Sequence, residues 1–417
     1  MKIAVLSEFH LGFSVAPDTA NDAFENAKEA IERAIEENVD LIIIGGDIFD
    51  SRSPNPKTWY SVLKLLSFPL KVRNPGIRLV ASSKRIDKVV YERTLKHLPI
   101  IALHGNHDRN PKGDVNIVEA LENAGLLIHL HMDYVEFEKE GERVRIWGMS
   151  HVPERFAYEA LTDWNPKPIE NCVNMLLLHQ NIDPYVYSLI EKPTIKVSNL
   201  PQGFDLIVNG HIHEFSVEKI DSSLLLMPGS TLVTQFKSTE SGKTKGFVIL
   251  EISKNKVEYK FVELKNSRKF YYFEIRDLRN LEEEIRKRLE ELKDEKKPIV
   301  RFKLIGNVSD LNENELRKIE KKYREAAIIL FSKELYSPEL EEKMEILNEL
   351  KSQEKSIFEK GLSILEKNLK ELRFSESFDW EKIFHMLAED EVENALNLLV
   401  ERQRTLESLL SKSLKEW

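Results

Sequence analysis

Residues 40–50 read DLIIIGGDIFD. Four apolar residues, three of them β-branched, are too few for a helix and stop abruptly at two glycines and a carboxylate. That is the pattern of a short strand buried in an α/β or sandwich core. The signature recurs outward from it: KIAVLS at 2–7, IIALHGNHD at 100–108, RIWGMS at 145–150, MLLLHQ at 175–180, FDLIVNGH at 204–211 and SLLLMPGS at 223–230. Between the first two runs, Asn21 to Asn38 sets Ala23, Phe24, Ala27, Ala30, Ile31, Ala34 and Ile35 at helical spacing, with Asp22 near the start. Strand, helix and strand give a βαβ opening, so an α/β (α+β) fold is expected. Nearly every run stops at a His, Asp or Asn. Side chains at the ends of strands converge at one sheet edge, and a site is expected there.

The pattern changes near Lys265. KFYYFEIRDL (269–278) reads as a strand, LEEEIRKRLEELKDEK (281–296) as a charged helix and PIVRFKLIG (298–306) as a second strand, a small βαβ unit of its own. After about Ser309 the spacing is helical to the end, with apolar residues three or four apart from Leu340 to Leu372 and from Val392 to Leu410. Three parts are therefore expected: 1–265, 266–330 and 331–417. The helical part is either a subdomain packed on itself or a pair of helices that binds a partner.

With 41% hydrophobic and 31% charged residues in 417, collagen-like, disordered and disulfide-scaffold classes are excluded. The single cysteine, Cys172, rules out an intramolecular disulfide and a multi-cysteine zinc module. No apolar run reaches the roughly 18 residues of a membrane span, and the N-terminus enters a strand pattern directly, so a cytoplasmic, freely soluble protein is expected. The net charge of −9 is uneven, because residues 331–417 hold 13 basic against 20 acidic side chains. Residues 64–97 carry nine basic and two acidic ones, a segment that could steer a polyanion or simply form a solvated face.

Five segments carry chemistry: Glu8-Phe9-His10, Gly46-Asp47-Ile48-Phe49-Asp50, Gly105-Asn106-His107-Asp108, His179, and Gly210-His211-Ile212-His213. They offer carboxylate, imidazole and amide oxygen donors without thiolate, which suits divalent ions such as Mn²⁺ better than structural zinc. In extended chain, residues i and i+2 point the same way, so Glu8 with His10 and His211 with His213 each present two donors to one side. The remaining histidines, His97, His104, His129, His131, His151 and His385, lack such neighbours and read as structural or surface residues.

The order E-x-H, GD, GNHD, H, GHIH resembles the calcineurin-like metallophosphoesterases, whose pattern is D-x-H, GD, GNH[DE], H, GHxH on a two-sheet sandwich flanked by helices. HLG (10–12), GDIFDSRSP (46–54), LLLHQ (176–180), MPGSTLVTQF (227–236) and KGFVILEI (245–252) narrow the resemblance to the double-strand-break repair nucleases of the meiotic-recombination-eleven type, with the bacterial relative SbcD. The resemblance implies two metal ions, Mn²⁺ with Mg²⁺ or other divalent ions as substitutes. Glu8, His10, Asp47 and His213 would hold the first; Asp47, Asn106, His179 and His211 would hold the second. Asp47 would bridge, and His107 would act as the acid on the leaving oxygen.

The implied activity is endonuclease and 3′ to 5′ exonuclease processing of broken or blocked DNA ends and single strands, beside an ABC-type ATPase with a long coiled coil of the Rad-fifty or SbcC kind. The βαβ unit would be a capping domain that contacts DNA, and the helical tail would hold the ATPase. A homodimer through Pro56–Leu66 and Val115–Leu121, without membrane association, and a prokaryotic nucleoid setting are implied too. Two departures stand out. Glu8 replaces the family's Asp, which leaves open drift, a designed change, or weaker binding of the first metal than of the second. Asp50 stands where many members have His, at a position tied to exonuclease action on duplex ends. The rival readings are a general metallophosphoesterase on small phosphodiesters or phosphoproteins, and a scaffold subunit whose site is dulled.

Overall fold

The computed structural model describes residues 1–84, 88–109, 115–186, 193–254, 256–336, 380–388, 396 and 398. The run at 40–50 is indeed a strand, β2 (Leu41–Ile44), parallel to β1 (Lys2–Leu6) with Ile3 opposite Leu41 and Leu6 opposite Ile44. β4 (Ile100–Ala102) and β5 (Ile128–His129) continue the parallel order, while β14 (Gly246–Ser253) and β15 (Lys256–Glu263) add an antiparallel flank. The order of this sheet is β15-β14-β1-β2-β4-β5.

A second sheet has seven strands. β12 (Ser216–Ile220), β13 (Ser223–Met227), β11 (Leu206–Asn209), β8 (Val173–Leu178), β7 (Glu142–Met149), β6 (Asp133–Lys139) and β3 (Arg78–Ser82) stand in that order. β7, β8, β11 and β13 are parallel to their neighbours among themselves. Every apolar run read from the sequence is thus a strand. A two-stranded ribbon, β9 (Ile182–Asp183) with β10 (Ile195–Lys196), lies outside both sheets.

The period-2 alternation of side chains builds the layers. Ile3, Val5, Leu41, Ile43 and Ile101 face the second sheet and pack with Phe137, Ile146, Met175, Leu177 and Val208. Ala4, Leu6, Ile42, Ile44 and Ala102 face the other way, against α1 (Asp22–Glu36), α2 (Pro56–Leu66) and α4 (Ile117–Asn123). Leu176, Leu178, Ile207 and Leu225 form a third layer with Ala157 and Leu161 of α5 (Glu154–Trp164). A slip of one residue in β1 would exchange its two faces, and each buried Ile or Leu contributes about 1.5–3 kcal/mol. The register of β1 is therefore strongly specified. This is the two-sheet sandwich flanked by helices that the resemblance implies.

The helix at 21–38 forms as α1, and α3 (Lys88–Lys96) lies within the basic segment. Much of that segment's charge is already met: Arg78 pairs with Glu138, Lys84 with Glu122 and Lys96 with Glu92. Lys64 lies over the Phe24 ring and Lys71 over the Phe68 ring.

The βαβ unit also forms, as β16 (Phe270–Ile275), α6 (Leu281–Glu290) and β17 (Ile299–Asn307), with the strands parallel. α7 (Glu313–Tyr323) follows, but the expectation of helix from Ser309 to the end fails at the next element. Residues Ile328–Tyr336 form β18, the third strand of the order β16-β17-β18. The IILF run is β-branched and apolar enough to extend that small sheet, and Ile328 packs with Phe270, Ile299 and Val233. Residues 1–306 with 310–334 form one compact unit; residues 307–309 with 335–417 form a second. In the second, α8 (Trp380–Ala388) is described, while the helical spacing from Leu340 to Leu372 lies outside the described residues, as does nearly all of 392–410. No helix among the described residues is long and apolar enough to cross a membrane.

Candidate metal centre

All five chemical segments leave the C-terminal ends of parallel strands: β1, β2 and β4 in the first sheet, β8 and β11 in the second. The two sheets are joined at this edge, where the Ser7 hydroxyl donates to the Gly210 carbonyl at 2.8 Å. Glu8 N–H donates to the Gly46 carbonyl and His10 N–H to the Asp47 carbonyl, at 3.1 and 3.0 Å, so the first two loops run side by side. Glu8, His10 and Asp47 all hold left-handed backbone, φ 54°, 44° and 49°. Side-chain-bearing residues adopt that conformation only where surroundings enforce it, and such positions concentrate at functional sites. Gly105 has a plainer reason: a Cβ there would lie 2.0 Å from Asp47 Oδ1.

The donors fall into overlapping groups. Glu8 Oε2 lies 2.8 Å from both His10 Nε2 and His213 Nε2. Around His179 Nε2 stand His211 Nδ1 at 3.1 Å, Asn106 Oδ1 at 3.3 Å, and Glu8 Oε1 and Asp47 Oδ2 at 3.6 Å each. Asp47 Oδ2 is also 3.9 Å from His10 Nε2. Glu8, Asp47, His179 and His211 form one cluster with metal-ligand spacing, Glu8, His10 and His213 a second, and His10, Asp47 and His107 a third.

One N–H on His179 Nε2 cannot satisfy four neighbours, and Glu8 Oε1 is buried without a hydrogen-bond partner. A cation shared among these atoms resolves both, so the residues fit divalent metal. The other ring nitrogens are already taken: His179 Nδ1–H donates to the Gly45 carbonyl at 2.8 Å, His213 Nδ1 meets the Thr234 hydroxyl at 2.9 Å, and His10 Nδ1 meets Asp50 Oδ1 at 3.1 Å. Such contacts fix the tautomer and the ring orientation of a metal-binding histidine.

The electrostatics follow from crowding charge into a dry site. Burial opposes the charged form of His10, but its hydrogen bonds to Asp50 and Glu8 and the charges of Glu8 and Asp47 outweigh it and raise the imidazole to about 10. His179 is likewise raised to about 9, against burial, chiefly by Asp47. Glu8, which burial would push up, is held far below the usual carboxylate range by His213, His10 and His179. His211 and His213 are driven down, first by burial. His10 and His179 are thus held charged beside Glu8 and Asp47, while His211 and His213 stay neutral.

His107 stands at the rim, its ring edge-on to His10 at 4.7 Å. Its backbone N–H donates to Asp47 Oδ1 at 2.8 Å and its Nδ1–H to the Asp50 carbonyl at 2.9 Å. The roles of three supporting residues escaped the sequence reading. Asp108 accepts from the N–H groups of Ile48, Phe49 and Gly105 at 3.1, 2.8 and 3.0 Å, tying the Asp47 and Asn106 loops together. It was legible as the last residue of GNHD. Thr234 had only its place in MPGSTLVTQF. His151, expected as a structural or surface residue, has its ring 6.2 Å from that of His179 and 6.4 Å from that of His211. His104 and His129 are buried, as a structural role requires, and meet Nδ1 to Nε2 at 2.9 Å.

Residues 1–215, just over half of the chain, match the family profile of the calcineurin-like phosphoesterases. The chain is similar to the double-strand break repair protein MRE11 of Encephalitozoon cuniculi, 32% identical over 56% of this chain and 42% of that one. It is 28% identical to the DNA double-strand break repair protein Mre11 of Methanopyrus kandleri, over 69% of this chain and 62% of the other. To the mouse double-strand break repair protein MRE11 it is 27% identical, over 65% and 42% respectively. The chain spans between 42% and 62% of the length of these relatives. The family profile covers more than half of the chain, and the chain belongs to the calcineurin-like phosphoesterase family.

Proposed function

We propose that this chain is a metal-dependent DNA nuclease, an endonuclease and 3′ to 5′ exonuclease that processes the ends of broken DNA. The observation that carries the reading is the convergence of Glu8, His10, Asp47, Asn106, His179, His211 and His213 from five strand ends, in a chain similar to double-strand break repair proteins. Glu8, His10, Asp47 and His213 would hold a first ion, and Asp47, Asn106, His179 and His211 a second, with Mn²⁺ as the expected metal. Two such ions supply the chemistry of in-line displacement at phosphorus, activating water and clamping the attacking and leaving oxygens.

The chain's own residues do the rest. Asp47 keeps Oδ2 aimed between His10 and His179 because the His107 N–H holds Oδ1. Asp50, His213's partner Thr234 and the Gly45 carbonyl orient three imidazoles. His107, tethered through Nδ1, keeps Nε2 to carry a proton to the leaving oxygen. Residues 266–330 would cap the site against DNA, and residues 331–417 would hold a coiled-coil ABC ATPase. Homodimerisation through α2 and the segment Val115–Leu121 is consistent with Tyr60, Leu63 and Val115 being exposed.

The test is cleavage of circular single-stranded DNA and of 3′-labelled duplex by the purified chain with Mn²⁺, reversed by chelator. Hydrolysis of small aryl phosphodiesters with neither DNA cut would overturn the nuclease reading in favour of a general phosphodiesterase. Failure to co-elute with a coiled-coil ATPase from the same genome would remove the proposed role of residues 331–417.

A further inference from the structure

We propose that Glu8 bridges the two metal positions, so that the centre has two shared carboxylates, Glu8 and Asp47, and loads its ions as a coupled pair. The inference rests on the two-metal reading above. It concerns the residue at which this chain departs from the D-x-H pattern.

Glu8 is fully buried, and its two oxygens face different groups. Oε2 lies 2.8 Å from His10 Nε2 and from His213 Nε2, inside the first group. Oε1 points at the second, 3.6 Å from His179 Nε2, in the cluster with Asp47 and His211. A buried carboxylate oxygen without a hydrogen bond is rare, and Oε1 is one. An oxygen so placed lacks only a cation. Asp at this position would be shorter by one methylene, about 1.5 Å; an oxygen placed on His10 and His213 would then leave its twin short of His179.

The backbone holds this reach. Glu8 keeps φ 54°, with its N–H on the Gly46 carbonyl at 3.1 Å and its own carbonyl accepting from the Thr231 hydroxyl at 3.3 Å. The extra methylene alone leaves open weaker binding of the first ion. The geometry points the other way, to a side chain that keeps the first group and extends into the second. Ions sharing two carboxylates would load together, because the first to bind orients both bridges for the other.

The test is titration of the full chain with Mn²⁺ alone, followed by calorimetry and by electron paramagnetic resonance, which separates isolated from exchange-coupled ions. The unsubstituted chain is expected to take up two Mn²⁺ in one coupled step, with an exchange-coupled spectrum. Glu8→Asp should split loading into two steps and weaken the second group about tenfold or more. Glu8→Gln keeps the volume but only one oxygen, so, with Asp47 left as the single bridge, it should split the loading and weaken the exchange coupling in the same way even if Glu8→Asp fails to fold. Equal, coupled uptake of two ions in a variant and in the unsubstituted chain would overturn the bridge and leave the two-metal reading standing. Uptake of fewer than two ions by the unsubstituted chain would overturn both.

Discussion

Asp50 Oδ1 lies 3.1 Å from His10 Nδ1, on the side of the ring opposite the Nε2 that meets Glu8 at 2.8 Å. A carboxylate that looks misplaced beside a phosphate site therefore has a cationic or N–H partner, and it fixes which nitrogen of His10 faces the metal position. Removing such a support typically weakens metal binding by about 10- to 100-fold. Asp50→Ala should lower Mn²⁺ affinity of the first group within that range, whereas Asp50→Asn, which keeps an acceptor for Nδ1–H, should lose far less. Calorimetric Mn²⁺ affinity checks this. Equal affinity in Asp50→Ala and the unsubstituted chain would show that His10 is oriented by its backbone alone.

His107 makes a different kind of contact. Its Nδ1–H is committed to the Asp50 carbonyl, and its ring lies edge-on to His10. His107→Ala should cut the rate by about 10²- to 10⁴-fold, the usual contribution of a positioned proton donor, while two Mn²⁺ still bind. Lost metal in that variant would instead make His107 a ligand, in keeping with its place near His10 and Asp47.

The strand ends were legible because nearly every apolar run stops at a His, Asp or Asn, so that Asp47, Asn106, His179 and His211 announce themselves. The pairs Glu8/His10 and His211/His213 were legible as neighbours, but not through extended-chain alternation: Glu8 and His10 hold left-handed backbone, and His211 and His213 fall in different donor groups. What was not legible depends on distances across the chain. Thr234 is 21 residues from His213 and Asp50 is 40 from His10, and no local pattern links either pair. The division of Glu8's two oxygens between His213 and His179 is likewise a product of both sheets meeting at Ser7 and Gly210. β18 was read as helix because Ile328–Tyr336 follows a helical pattern, and only the open edge of β17 makes a strand the better burial.

Gly105 tests how tightly the centre is framed. A Cβ there would meet Asp47 Oδ1 at 2.0 Å and the Asp47 backbone nitrogen at 2.6 Å, so the metal-facing loop must move to admit it. Gly105→Ala should lower Mn²⁺ affinity by about tenfold or more, since errors of about 1 Å in such a site are severe. Thermal unfolding with and without Mn²⁺ gives the readout: the shift in melting temperature produced by Mn²⁺ should shrink or vanish. An undiminished shift would mean the 46–47 turn can yield without disturbing Asp47.

Behind the metal centre, His129 is buried against His104 and Ser150, at 2.9 and 3.3 Å, and its backbone N–H donates to Glu122 at 3.0 Å. Burial, then the charge of Lys84 and the neighbouring His131, push its imidazole down to about 3. The folded chain thus keeps His129 neutral where the unfolded chain, with a value of about 6.5, takes up a proton. Between about pH 6.5 and about pH 3 the unfolded state binds more protons, so stability falls as pH falls through that window. One such group supplies a slope of up to about 1.4 kcal/mol per pH unit. Gln in its place retains an acceptor and a donor without titrating. Urea unfolding in the presence of chelator, compared between about pH 7.5 and about pH 5, should show the His129→Gln chain losing less stability on acidification than the unsubstituted chain. An identical loss in both would mean that His104 or another buried group, and not His129, carries the acid sensitivity of this layer.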